Sequence, residues 1–286
     1  MKKISRHAPA KARARRKDRR AFPIQHLPRS AFYRAKATQV VPLPSAHVDE
    51  IELAKRLGDF GLFERIPPAV LKAVAAGAHV RVFRQGEFIW QRGDPAREMV
   101  LIGSGFVKAS RRDLNGASKT YGLFGPGDSM GLYAFWAGMR YPTDAIALSE
   151  GVTLIFVDAE EISRLAEEHP QLSRNMKGEV TRFSEAFINK IEIISAGSIQ
   201  QRLAVLLLQL VGRYGVGEGN GHALLPVFLT LKQISEIIDA RVETVARTLS
   251  RWKRIGWLLI DARGWRIHCL DQLNELLNRY GGRSRS

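Results

Sequence analysis

Cysteine is almost missing from this chain: Cys269 is the single one in 286 residues. One thiol closes no internal disulfide, so a reducing cytoplasm is the expected compartment. It also rules out a Cys-rich zinc site or a cysteine-ligated iron–sulfur cluster built within one chain. No apolar run approaches the roughly 18 residues of a membrane span, and no apolar segment backs the basic N-terminus to make a secretory signal. Nucleophile elbow, HExxH, phosphate loop and a paired-carboxylate setting are all lacking, so an enzyme is not indicated. Acidic residues are scarce too: 28 Asp and Glu face 44 Lys and Arg, a net charge of +16. That balance points to a polyanionic partner, nucleic acid first and an anionic membrane surface second.

The charge is unevenly spread. The first twenty residues hold ten Lys or Arg (Lys2, Lys3, Arg6, Lys11, Arg13, Arg15, Arg16, Lys17, Arg19, Arg20) against Asp18 alone. Such a run repels itself and buries little, so residues 1–47, with Pro23, Pro28, Pro42 and Pro44, read as a disordered basic tail. Its bland role is a solvated segment; its active one is a basic arm adding phosphate contacts without sequence preference. Without it the body is only moderately basic.

Behind the tail, Val48 to about Ala76 is patterned as helix, interrupted at Pro67 and Pro68. From His79 to Val157 the pattern changes to short β-branched or aromatic runs (VRVF, EFIW, MVLIGSGFVKA, KTYGLF, DAIAL, VTLIFV) punctuated by glycines. Regular short strands with glycine turns predict an antiparallel roll or barrel, with a hairpin at Asn115-Gly116. Ala159 to Glu168 reads as a short helix and Gln171 to Ile194 as a long one, with Met176, Val180, Phe183, Phe187, Ile191 and Ile194 spaced by threes and fours. Ala196-Gly197-Ser198 breaks it, and Ser198 with Gln201 offers a capping box. The apolar run Ile199 to Val211 then predicts a buried helix, Gly212 to Gly221 a loop and Ala223 to Leu229 a strand.

Leu229 to Trp257 is the stretch that organises the rest. Thr230 with Gln233 forms a second capping box; Ile234, Ile237 and Ile238 face inward; Asp239-Ala240 makes the turn; Val245 and Leu249 point to the core. That is a helix-turn-helix. Leu258 to Ile260 and Trp265 to Leu270, joined at Asp261 to Gly264, read as its wing, and Gln272 to Tyr280 as a final helix.

The ordered set Gly86-Glu87-Phe88-Ile89, Arg92-Gly93-Asp94, Leu101 to Lys108, Asp113 to Gly116, Gly125-Pro126-Gly127-Asp128 and Gly131 resembles the cyclic-nucleotide-binding β-roll. With the helix-turn-helix behind it, the chain from about Ile51 to Tyr280 resembles a Crp/Fnr-superfamily transcription regulator. The resemblance implies an α+β chain in four parts: tail 1–47, β-roll sensor 48–168, dimerisation helix and hinge 169–197, and winged helix-turn-helix 198–286. It implies double-stranded DNA as partner, a homodimer joined through Val180, Phe183, Phe187, Ile191 and Ile194, and contact with RNA polymerase.

The ligand pocket departs from the cyclic-AMP-binding members. After Gly131 their ribose-binding Glu is replaced by Leu132, and their phosphate-binding Arg-Ser pair falls on Pro142 and Thr143. The helix residues that meet the base match Phe187 and Ile188. A buried phosphate without its cation is costly, so cyclic AMP is not expected to bind. Arg140, two residues away, is either a cation for another anion or a loop surface charge. The tail lacks the cysteines of the oxygen-sensing members. For haem, His26, His79 or His169 could be proposed as axial ligands, but a lone histidine is usually structural, and packing explains His79. No cofactor is therefore assigned and the effector stays open.

The second helix of the motif is similar to the Fnr and FixK reading helices, which recognise TTGA-like half-sites. Arg247 offers a planar fork to guanine O6 and N7, Glu243 accepts from cytosine N4, and Val242 suits a thymine methyl. Glu243 and Arg247, at i and i+4, are also placed to pair with each other. Lys232, Arg241, Thr244 and Arg251 are candidate phosphate contacts. Arg241 stands where a Ser or Thr cap is usual, and Ala246 replaces a Ser near a base. The rival reading is a winged helix that binds protein.

Overall fold

The computed structural model describes residues 49–114 and 116–281. The basic segment over 1–47 and Asn115 lie outside them.

The N-terminal helical pattern resolves into two helices, α1 (Glu50–Leu57) and α2 (Pro68–Gly77), with a 3-10 turn at Gly61–Phe63 between them. Pro68 occupies the first turn of α2, where its missing N–H costs nothing. The roll follows as two four-stranded antiparallel sheets. One has the order β1 (His79–Phe83), β8 (Val152–Asp158), β3 (Glu98–Ser104), β6 (Ser129–Met130). The other runs β2 (Phe88–Trp90), β7 (Asp144–Ala147), β4 (Val107–Arg112), β5 (Ser118–Phe124). The short helix α3 (Leu132–Trp136) sits between β6 and β7.

The apolar runs of β3 and β8 are continuous because both faces are covered. Alternate side chains point to opposite faces of a strand. Val100, Ile102, Leu154 and Phe156 accordingly enter the core between the sheets with Phe83, Val107 and Ala145. Their neighbours Met99, Leu101, Ile155 and Val157 pack outward on Leu57, Phe63, Val74 and Ile162. This second cluster joins α1 and α2 to α4 (Ala159–Glu168) and to the start of α5 (Pro170–Ser195), through Leu172 and Met176.

The long helix ends at Ser195, and Gly197 behind it turns the chain with a φ of +82° that suits a residue without Cβ. Ser198 then opens α6 (Ile199–Tyr214) with the complete capping box. The loop expected over 212–221 is shorter than the glycines suggested. α6 runs on to Tyr214, and β9 (Val216–Gly219) pairs with β10 (His222–Leu225) through a turn in which Asn220 takes φ of +49°. The strand expected to reach Leu229 stops at Leu225, because Pro226 has no N–H for the ladder. The motif follows as α7 (Leu231–Ile238) and α8 (Val242–Arg254). The wing is β11 (Leu258–Asp261) and β12 (Gly264–Ile267), and α9 (Leu270–Gly281) closes the described chain.

The C-terminal core is not confined to its own domain. Leu203, Leu207, Ile234, Ile238, Leu249, Trp252 and Trp265 form one cluster that also takes in Phe106 and Leu148 of the roll and Ile193 of α5.

Candidate nucleic-acid interface

The interface is built from α7, α8 and the turn between them. Thr230 accepts from Gln233 N–H at 3.2 Å while Gln233 Oε1 accepts from Thr230 N–H at 2.7 Å, which fixes the start of α7. Asp239 ends it in the left-handed region, φ 53° and ψ 59°, and its N–H donates to Ser235 O. Ile234, Ile237 and Ile238 then meet Val245, Leu249 and Trp252 in a buried seam. With that face of α8 committed to the core, Val242, Glu243, Arg247 and Arg251 are left exposed. Glu243, Arg247 and Arg251 follow one another at four-residue spacing, so they form a single ridge.

Glu243 and Arg247 form no ion pair, contrary to what their i, i+4 spacing suggested. Each keeps its hydrogen-bonding capacity for a partner. Arg241 stands at the N-cap without a side-chain hydrogen bond to the helix. The first N–H groups of α8 thus lack a side-chain cap, and with the positive end of the helix dipole they suit an anion. Arg241 and Lys232 are exposed, and Thr244 is half-buried. One residue was missed from sequence: Arg263 stands exposed in the wing turn, whose geometry is fixed by its N–H donating to Asp261 Oδ1 at 2.8 Å. A cation at the tip of a predicted hairpin was the signal.

The other side of α7 is held by the roll and the long helix. Lys108 Nζ of β4 donates to Glu236 Oε2 at 2.6 Å, and Lys119 Nζ of β5 to Asp239 Oδ1 at 2.5 Å. Lys190 of α5 donates to the carbonyls of Ile237 and, at 3.4 Å, Glu236. Arg202 of α6 reaches Ile238 O and Asp239 O at 3.3 and 3.2 Å. Four cations thus surround the negative end of one helix dipole. The Lys119 hydrogen bond holds the Asp239 carboxyl below its ordinary range and raises the lysine in return. Burial brings Lys190 down to about 8. None of these docking residues stood out in the sequence, because their partners lie 36 to 128 positions away.

The nucleotide-pocket positions assemble differently from a phosphate site. Gly131, at φ +95°, starts α3; a Cβ there would come within 2.8 Å of Glu98 O. Leu132 is 3% exposed and packs outward into the helical cluster. Thr143 is buried, and its carbonyl accepts from Trp90 Nε1 at 3.0 Å. Pro142 is half-buried beside Tyr141, which stacks on Trp90 and donates to Glu98 O. Arg140 is exposed and donates to Gly93 O at 2.8 Å, the surface role of its two expected ones. From α5, Phe183 stacks on both Phe124 and Tyr133 and meets Phe187 edge-on. Phe183 thus packs against the roll. Ile188, matched to the pocket by sequence, is 52% exposed and joins Ile191 and Ile194 on the outer side of the helix. His79 stacks on Phe156, as its place in a strand suggested.

The family model for the cyclic nucleotide-binding domain matches residues 80–169, and that for the Crp-like helix-turn-helix domain matches residues 201–276. The chain belongs to the Crp/Fnr superfamily of transcription regulators. This Crp/Fnr regulator is 26% identical over 214 residues to the CRP-like cAMP-activated global transcriptional regulator of Mycobacterium tuberculosis, covering 74% of this chain and 94% of that protein. It is 27% identical over 251 residues to the transcriptional activator protein anr of Pseudomonas aeruginosa, covering 87% and 98%. Among solved structures it shares its fold with FixK2 from Bradyrhizobium japonicum at a TM-score of 0.60 and 21% identity, over 70% of this chain and 96% of that one. Among the described residues no helix is long and apolar enough to cross a membrane.

Proposed function

We propose that this Crp/Fnr regulator binds a palindromic, TTGA-like DNA site as a homodimer and acts without cyclic AMP or an iron–sulfur cluster. The ridge of α8 carries the reading: Glu243 and Arg247 are exposed, unpaired with each other and held by a helix whose opposite face is buried. Arg247 takes guanine, Glu243 cytosine and Val242 a thymine methyl. Lys232, Arg241, Thr244 and Arg251, joined by Arg263 of the wing, hold phosphates and set the register.

The dimer rests on α5. Ile188, Ile191 and Ile194 expose 52%, 59% and 37% of their surface on one side of a 26-residue helix. With Val180 and Phe187 they follow the spacing of a two-helix seam. Two copies joined there present two reading helices to two half-sites. RNA polymerase is the further partner, by family resemblance, and no catalytic step is assigned.

Against cyclic AMP stand Leu132 and Pro142, where the cyclic-AMP-binding members have a ribose-binding carboxylate and a phosphate-binding guanidinium, and the aromatic packing of Phe124, Tyr133, Phe183 and Phe187. In-vitro selection of random DNA on the purified protein tests the reading. Enrichment of an inverted repeat with TTGA-like arms is expected; no enrichment over the starting pool overturns it.

A further inference from the structure

A narrow cleft, with about 40 Å³ of room inside and about 410 Å³ only when its open mouth is counted, lies where the two domains meet. Thr120, Gly122 and Leu123 of β5 form one wall, Ala186, Asn189, Lys190 and Ile193 of α5 a second, and α6 and Ile237 of α7 the rest. It is separate from the residues matched to the cyclic-nucleotide pocket: none of Gly131, Leu132, Arg140, Pro142 or Thr143 lines it.

Its chemistry is mixed and unsatisfied. Thr120, 2% exposed, has a hydroxyl oxygen with no hydrogen-bond partner. Buried hydroxyls without a partner are rare and call for an explanation. Lys190, half-buried on the facing wall, is in no ion pair; its ammonium meets two backbone carbonyls, leaving one of three N–H donors over. Arg213, by contrast, is neutralised by Asp128 at 2.6 Å. Leu123, Ile193, Leu206, Leu210 and Ile237 supply apolar walls. One available cation, one available hydroxyl and an apolar chamber fit a singly charged head on a short hydrocarbon body.

We propose that this cleft binds a small monocarboxylate, its carboxylate on Lys190 with Thr120 as a second contact, its hydrocarbon among the leucines and isoleucines. A phosphate dianion fits worse, since a single ammonium would leave half its charge buried without a partner. A molecule seated there touches β5, α5, α6 and α7 at once, so its binding is linked to the seating of the helix-turn-helix. That effector role rests on the DNA-binding reading above; the binding itself does not.

Calorimetry on the full chain with hexanoate, and with hexanol and hexylamine as controls, tests the site. Saturable binding of hexanoate alone is expected. Lys190→Met should weaken it about 100-fold and Thr120→Val about tenfold, the scale of a charged and a neutral hydrogen bond. Thr120→Val should also raise the melting temperature of the ligand-free protein, since it removes an unpartnered hydroxyl at constant volume. No saturable binding, or hexanoate binding unchanged in Lys190→Met that still shows the wild-type circular dichroism, overturns the site. DNA affinity measured with and without saturating hexanoate tests the effector role: a shift supports it, and equal affinities overturn it. Hexanoate binding by a protein that selects no DNA would sink the DNA reading while leaving the site standing.

Discussion

Lys119 of the roll and Asp239 of the helix-turn-helix turn stand 2.5 Å apart, a bond across 120 positions of sequence that fastens the reading domain at its corner. Both side chains are about half exposed, so water screens the pair. Lys119→Ala should therefore change the unfolding free energy by less than about 1 kcal/mol. The neighbouring pair Lys108–Glu236 is more enclosed, at 12% and 14% side-chain exposure. Lys108→Ala leaves Glu236 without its cation and should cost about 2–3 kcal/mol, somewhat under the loss for a fully buried pair. Urea denaturation of the two variants side by side checks the contrast; equal losses would contradict it.

Lys190 sets a pH dependence of opposite character. Burial brings its folded pKa to about 8, with Lys119 and Arg202 lowering it further and Asp239 opposing them. The unfolded chain, with lysine near 10.4, binds more protons at this group in that interval, so the contribution of Lys190 to stability rises between about pH 8 and 10, opposed by Cys269, whose thiol burial pushes up to about 12. Lys119, whose folded pKa is raised by Asp239, loses its contribution only above that window. Unfolding curves at pH 7.5, 9 and 10 should show the stability of the wild type relative to Lys190→Met increasing with pH, the Cys269 contribution being common to both.

On DNA, Arg247→Ala should cost about 1–3 kcal/mol at the selected site and relax discrimination at one base pair. Arg251→Ala should weaken selected and random DNA nearly equally and lower the salt slope by about 1. Fluorescence anisotropy at several salt concentrations separates the two. If Arg247→Ala loses as much affinity on random DNA as on the selected site, its base-reading role fails.

A charge in the exposed stripe of α5 should break the dimer. Ile191→Asp is expected to weaken self-association by about 100-fold, the scale of a buried interface anchor. Light scattering would find the wild type at twice the chain mass and the variant at the chain mass. A wild-type protein already at the chain mass at micromolar concentration would refute the assembly.

Cyclic AMP should produce no saturable heat when titrated into the purified protein. A dissociation constant at or below the micromolar range would show that the aromatic pocket opens to a nucleotide and that another cation replaces the missing guanidinium.

Much of this was legible from residues alone. Both capping boxes, the left-handed turn at Asp239 and the inward isoleucines follow from local chemistry, where partners sit three or four positions apart. So does the two-face burial of β3 and β8 once their apolar runs are seen as strands. The rest depends on a distant partner or on the backbone overriding composition. Phe183 belongs to the apolar stripe of α5, yet Tyr133 and Phe124 claim it for the roll. Ile188 was matched to a pocket and turns outward. The glycines over 212–221 suggested a loop, but four residues pair as β9. The clamp on α7 was invisible, since no local pattern tells which lysine of a basic chain will meet which carbonyl.

That clamp has an asymmetry worth drawing out. Most of its acceptors are main-chain oxygens: Leu148 O for Gln233, Ile237 O for Lys190, Ile238 O and Asp239 O for Arg202. Every residue type carries that oxygen, so changing the side chains of Leu148, Ile237 or Ile238 to other apolar ones leaves these bonds in place. Apart from the carboxylates of Glu236 and Asp239, which take Lys108 and Lys119, the specificity of the joint is encoded on its donor side. A scan for mutations that free the reading head should therefore return Gln233, Lys190 and Arg202 and pass silently over Leu148, Ile237 and Ile238.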